Sequence, residues 1–172
     1  AGRSISILAG TGSIIEVNRI SDCGEGIRIA GKGHTVSNNC IVRCRQDAVS
    51  VLSNITPETA NASNAIIEQN TVIDWGHDAV SQHTGIRIEP GTTCVVRKNL
   101  FHGHGRPYAV INRGDKQNNG HGRTPPVTHC LIQDNLVSGD GETLDGAVQA
   151  SVTFMSALLD NYANESGYGA HG

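Results

Sequence analysis

The sequence predicts an all-β chain, a single-stranded right-handed parallel β-helix (solenoid) of about six rungs with loop insertions. Three observations predict it: an asparagine that returns in phase, a repeated order of short strands and turns, and a composition suited to tight winding. The asparagines are Asn18, Asn39, Asn70, Asn99, Asn135 and Asn161, in phrases such as Ile15-Glu16-Val17-Asn18-Arg19-Ile20 and Ile67-Glu68-Gln69-Asn70-Thr71-Val72. Each has an aliphatic residue three positions before it and, Ala163 apart, a sizeable apolar residue two positions after it. The separations of 21, 31, 29, 36 and 26 residues describe one short rung repeated with insertions. An Asn at a bend between two strands tolerates left-handed backbone. Stacked once per rung, its amide can bond to the rungs above and below.

The elements of a rung follow in order. The strand before each Asn is short (Ile15 to Val17, Val36 to Asn38), and so is the one after it (Arg19 to Ser21, Thr71 to Ile73). After a Gly-rich turn comes a third strand: Gly26-Ile27-Arg28-Ile29, Asp47-Ala48-Val49-Ser50-Val51, Gly85-Ile86-Arg87-Ile88 or Tyr108-Ala109-Val110-Ile111. A further turn, such as Ala30-Gly31-Lys32-Gly33 or Glu89-Pro90-Gly91-Thr92, leads to the next Asn phrase. Short segments of two to five residues with alternating apolar positions are strands. A β-sandwich also turns about every ten residues, but gives no reason for one Asn to hold its phase from residue 18 to 161.

Gly supplies 21 of 172 residues, and the Trp, Tyr and Phe counts are 1, 3 and 2, so stacked Ile, Val, Leu and Ala must fill the core. Six rungs at ~4.8 Å give a cylinder ~25–30 Å long, enough for one domain over 1–172. The formal net charge is −3, without a basic stripe, which argues against nucleic acid. No run of 18 apolar residues is present, so no membrane span is expected. A β-helix needs covered ends, and strand-like Ser4-Ile5-Ser6-Ile7-Leu8 follows no capping helix. The chain therefore reads as a fragment of a longer coil, or a mature chain capped elsewhere, with end-to-end self-association as one way to cover an end.

Cysteines fall in register. Cys23 and Cys44 lie five after their Asn; Cys94 and Cys130 lie five before theirs. Stacking brings each pair within disulfide range, or makes each a stack of small buried thiols. Cys40 is left over, and no Cys-x-x-Cys suggests zinc.

In such a coil the inward positions pack, and function falls to outward residues and loops. Enlarged loops at 52–63, 76–84, 103–107, 112–126 and 139–145 flank the third-strand face, which carries Arg28, Ser50, Arg87 and Gln149 outward. Walls beside a flat parallel sheet make a groove suited to an extended polymer. Its candidate groups are Arg28, His77, Asp78, His83, Arg87, Glu89, His102, His104, Arg106 and Tyr108, with Trp75 close by. Arg87 or Arg28 suits a carboxylate, and His77 or His104 suits proton abstraction. Tyr108 suits the leaving oxygen, and Trp75 could stack on a sugar ring. Polar turns are more often only solvated, and Asp22, Arg43 and Asp74 share a register that reads as a surface charge ladder. Asp140, Glu142 and Asp145 form an acidic turn without calcium-loop spacing. Arg113-Gly114-Asp115 and sequons at Asn54, Asn61 and Asn164 are weak signals.

Gly26-Ile27-Arg28-Ile29-Ala30-Gly31-Lys32-Gly33-His34-Thr35-Val36-Ser37-Asn38-Asn39 resembles a rung of polysaccharide lyase family 6, the alginate lyases and chondroitinase B. Asp47 to Val51, then Asn64 to Val72, resembles the next rung. The likeness spans about residues 5 to 105 and shares its rung pattern with the wider pectate-lyase-like group. It implies a substrate rich in uronates, β-elimination, a calcium ion that neutralises the uronate, and an extracellular or periplasmic setting. By that resemblance the family's Lys base and calcium carboxylates would fall before Ala1, and Ser6-Ile7-Leu8-Ala9 stands where its Arg acid is expected. Arg28 matches the family rung as a groove residue only. Two functions are therefore expected: binding and cleavage of an acidic polysaccharide, or a non-catalytic coil serving as adhesin, phage tail part or spacer.

Overall fold

A computed structural model of the chain describes residues 2–52, 62–77, 83–89, 91–102, 108–113, 117–118, 122–123, 127–138, 148–151, 153–154, 157–159, 162–164 and 170–171. All regular structure among these residues is β-strand. Three parallel sheets run the length of the coil, and successive rungs contribute one strand to each. The long sheet stacks Arg3–Ile7, Glu25–Ile29, Val49–Leu52, Thr84–Glu89, Tyr108–Arg113, Val148–Ser151 and Ala170–His171. The sheet before the asparagines begins at Ile14–Glu16 and Thr35–Ser37, and the sheet after them at Arg19–Ser21 and Cys40–Cys44. Four two-residue strands form a narrow corner sheet, and Gln117–Asn118 pairs with Gly122–Arg123 as an antiparallel ribbon. No helix of the described residues is long and apolar enough to cross a membrane.

The register turns the apolar alternation into columns. Ile27, Val49 and Ile86 stack in one, Ile29, Val51 and Ile88 in the next, each residue 0–1% exposed. Ile15, Val36, Ile67, Val96 and Ile132 form a third, and Ile20, Ile41, Val72 and Phe101 a fourth. Burying each such side chain contributes ~1.5–3 kcal/mol, so the core is a set of parallel aliphatic stacks.

The asparagines form the expected ladder. Asn39 donates from its backbone N and from Nδ2 to Asn70 Oδ1, both at 3.0 Å. Asn70 repeats this toward Asn99 at 3.0 Å, and Asn99 toward Asn135 at 3.1 and 3.0 Å. Each amide also donates back to a carbonyl of the preceding rung, as Asn70 Nδ2 does to Val36 O at 2.9 Å. The expected left-handed geometry lies one residue earlier, which corrects the sequence reading. Val17, Asn38, Gln69, Lys98 and Asp134 carry φ of 54–57°. The ladder Asn is thus selected for its side-chain bonds, and the bend is made by its exposed neighbour. Two further left-handed corners recur per rung, at Asp22, Arg43 and Asp74 and at Asn64, Thr93 and His129. Gly31, at φ +118°, serves one sharper turn, where a Cβ would meet Gly10 O at 2.4 Å.

Candidate functional site: a charged cluster on the long sheet

The long sheet's outward column reads Ser6, Arg28, Ser50 and Arg87 in register, and the backbone register continues through Ile111 and Gln149. Three residues before Arg28 and Ser50, where the chain bends into the strand, stand Glu25 and Asp47. Gly26 N donates to Asp47 O at 3.1 Å, and Ile27 N to Ala48 O at 2.8 Å. A Cβ on Gly26 would lie 2.3 Å from Ala48 O, so only glycine permits this approach. The two carboxylates therefore sit on neighbouring rungs below the two guanidiniums.

Asp47 is the centre. Its Oδ1 accepts Thr84 N at 2.6 Å and Thr84 Oγ1 at 3.3 Å. Its Oδ2 accepts Ser50 Oγ at 3.2 Å and lies 3.3 Å from Arg87 Nε. His83 Nδ1 lies 3.8 Å from Oδ1. Burial, at 4% exposed, holds the Asp47 carboxyl above the usual carboxylate range. The Arg87 charge, the Thr84 N–H, His83 and the Ser50 hydroxyl pull it back, in that order. Arg28 Nη1 lies 3.9 Å from Glu25 Oε2, an ion pair beyond hydrogen-bond length. Arg28 Nε is buried without a hydrogen-bond partner among the described residues.

The expected candidates separate on this framework. His83 and Arg87 are brought together at Asp47, and Arg28 stands in register with Ser50 on the same column. Trp75 is removed from the groove, a correction: it pairs in register with Cys44, is 0% exposed, and packs edge-on against Phe101 at 5.8 Å. The alternation of Thr71–Trp75 turns its ring into the core, where no sugar can stack on it. His77 is exposed, and no contact among the described residues joins it to Arg87. Glu89 ends one strand of the long sheet and Tyr108 begins the next. Asp78, His104 and Arg106 lie outside the described residues, as do the acidic turn at 140–145 and Asn54 and Asn61 of the sequons. The face is also less open than a bare sheet: Ser50 is 0% exposed, and the Arg28 and Arg87 side chains 17% and 16%.

Glu25, Asp47 and Thr84 are the members that motif reading passed over. They align when counted back from the third strand. Counted forward from the Asn the alignment breaks, because the separation between these rungs grows from 21 residues at the ladder to 22 at the long sheet. The first step of the surface ladder, by contrast, forms as expected: Arg43 Nε and Nη2 each lie 2.6 Å from an Asp22 carboxylate oxygen, with both side chains exposed. No group of three or more His, Cys, Asp or Glu among the described residues is arranged to hold a metal ion. The cluster's carboxylates face guanidiniums, so the residues present do not fit the calcium that the lyase resemblance implies.

The sequence model for the right-handed β-helix region matches residues 1–124 of the chain. No curated protein and no solved structure matches it.

Proposed function

Because the chain belongs to the right-handed β-helix region family, we propose that the outward column of its long sheet binds an acidic, uronate-containing polysaccharide. The observation that carries this reading is the placing of Arg28 and Arg87 on one column, with Ser50 between them. Two strand spacings separate the guanidiniums, ~9–10 Å along the coil. That is of the order of two sugar residues in an extended chain, so alternate uronate carboxylates can meet successive arginines. Arg28 contributes most readily, since its contact with Glu25 leaves the planar fork largely unspent. Arg87 exchanges Asp47 for the ligand.

Cleavage by β-elimination is the finer form of this proposal, favoured by the approach of His83 to Asp47. We place His83 in the role of base ahead of His77 and His104. A carboxylate this near an imidazole stabilises the imidazolium that forms when the ring accepts a proton. His83 would take the C5 proton of a uronate whose carboxylate is neutralised by Arg87. The electron pair left at C5 forms the C4–C5 double bond as the C4–O bond breaks, and the departing glycosidic oxygen takes a proton from water. The non-catalytic coil is the second reading. It is favoured by the pairing of each arginine with its own carboxylate and by the full burial of Ser50.

The test is incubation with alginate, chondroitin sulfate and polygalacturonate, with and without calcium, following the ultraviolet band of the unsaturated uronate together with binding. A rise abolished by His83→Ala and Arg87→Ala supports elimination at this cluster. Binding without a rise supports the recognition reading alone. Absence of binding to every polymer overturns the proposal in favour of the structural coil.

A further inference from the structure

Two of the core columns contain thiol pairs on adjacent rungs. Cys23 and Cys44 are buried, with their sulfurs 2.8 Å apart. That is closer than unbonded heavy atoms ordinarily pack, ~3.5–4.0 Å for carbon. Their rungs are in register throughout, Ser21 pairing with Val42 and Arg45 N donating to Cys23 O at 3.0 Å. Cys94 and Cys130 repeat the arrangement elsewhere in the coil. Val95 pairs with Leu131, Leu131 N donates to Cys94 O at 2.9 Å, and the two buried thiols hydrogen-bond to each other. Adjacent parallel strands lie ~4.7–4.9 Å apart, inside the ~4.4–6.8 Å that a disulfide spans between Cα atoms. The fifth cysteine, Cys40, pairs in register with Arg19 and Thr71 and so has no cysteine at its level on the neighbouring rungs.

We propose that Cys23–Cys44 and Cys94–Cys130 are sites of two inter-rung disulfides, formed when the chain meets a low-molecular-weight disulfide such as oxidised glutathione. One thiolate of a pair attacks that disulfide and expels one thiolate from it. The second cysteine then attacks the mixed disulfide and expels the other. Two cysteine thiols are oxidised, the reagent is reduced to two thiols, and the two protons pass to them. In the second pair the hydrogen bond from Cys94 holds the Cys130 thiol below its ordinary range, which favours it as the first attacker. In the first pair burial pushes Cys44 up, so Cys23, at 8% exposed, is the accessible partner.

The placement gives the first cross-link a consequence for the charged cluster. Cys23 lies two residues before Glu25, and Cys44 three before Asp47. A bond between them clamps the two turns that present those carboxylates. The second bond closes a 36-residue separation between the Asn99 and Asn135 rungs.

The test is to fold the full chain in a glutathione redox buffer, quench with acid, denature, alkylate, and map the peptides without reduction. The expected result is one alkylated cysteine, Cys40, with cross-linked peptides joining Cys23 to Cys44 and Cys94 to Cys130. Reductant then lowers the melting temperature by on the order of ten degrees. A Cys23→Ser/Cys44→Ser variant loses part of that response while retaining the second cross-link. Five alkylated cysteines, or a cross-link that includes Cys40, would overturn the proposal.

Discussion

Asn70→Ala tests the ladder where its bonds are fully buried. Asn70 is 1% exposed. Its Oδ1 accepts from Asn39 N and Asn39 Nδ2, and its Nδ2 donates to Val36 O and Asn99 Oδ1. Truncation orphans Asn39 N–H and removes the amide donor from Val36 O. Asn39 Nδ2 keeps Ile15 O and Ser37 O, and Asn99 Oδ1 keeps the Asn70 backbone N. One buried donor left unpaired at ~1–3 kcal/mol, with the lost second bond to Val36 O, which stays in the sheet ladder opposite Ile67, gives a loss of about 3 kcal/mol. Asn18→Ala is the internal control. Asn18 sits at the first rung and donates Nδ2 to the exposed Glu16 O, while Asn39 Oδ1 keeps the Asn18 backbone N at 3.0 Å. Its truncation orphans no buried donor and costs under ~1 kcal/mol. Asn70→Asp keeps the acceptor but turns the donor toward Val36 O into an anionic oxygen, so it costs at least as much as Ala. Urea unfolding with unchanged m-values reads all three. Equal losses at Asn18 and Asn70, or a loss under ~1 kcal/mol at Asn70, would refute the ladder as the rung-to-rung connector.

Three further outcomes follow from single residues. Val17 is β-branched, 77% exposed and held at φ 57°, so Val17→Asn relieves backbone strain without packing loss and stabilises by ~1 kcal/mol in the same assay. Trp75→Ala empties a buried ring site against Phe101 and costs ~3–5 kcal/mol in thermal unfolding, while Trp75→Phe, which keeps an aromatic ring there, leaves polysaccharide affinity unchanged. Asp47 has a folded pKa raised above its unfolded value of about 3.8. The stability it contributes is therefore fully present below that pH and is lost as pH rises through the folded pKa. Relative to wild type, Asp47→Asn should flatten this fall, as read from unfolding free energies measured from about pH 3.5 to 7; a parallel pH dependence in both proteins would contradict it.

The repeat was legible because one residue type does one job in every rung. Asn alone offers a short donor and acceptor that can bridge both neighbours, so its phase survives in sequence. The left-handed corner beside it was assigned one residue too late, because Val17, Asn38, Gln69, Lys98 and Asp134 share no residue type. They are exposed, and a backbone bend in solvent leaves little compositional trace. Trp75 was misplaced for a related reason: Gly76 and His77 follow it and suggest surface, but strand register with Cys44 decides the direction of its ring. Arg28, His83 and Arg87 were legible as outward charges near one face. The convergence of His83 and Arg87 on Asp47 was not, because it depends on the extra residue between the Cys44 turn and Val49 and on the rung stacking that puts Thr84 N against the carboxylate. Spacing along the chain does not encode such stacking.

The most direct test of the binding proposal is an equilibrium titration of wild type and Arg28→Ala/Arg87→Ala with an acidic oligouronate and its neutral methyl ester. Carboxylate recognition by two partly buried guanidiniums predicts tight binding of the acid alone, an affinity that falls with added salt, and loss of at least tenfold in the double variant. Equal affinity for acid and ester, or an unchanged affinity in the double variant, would contradict it.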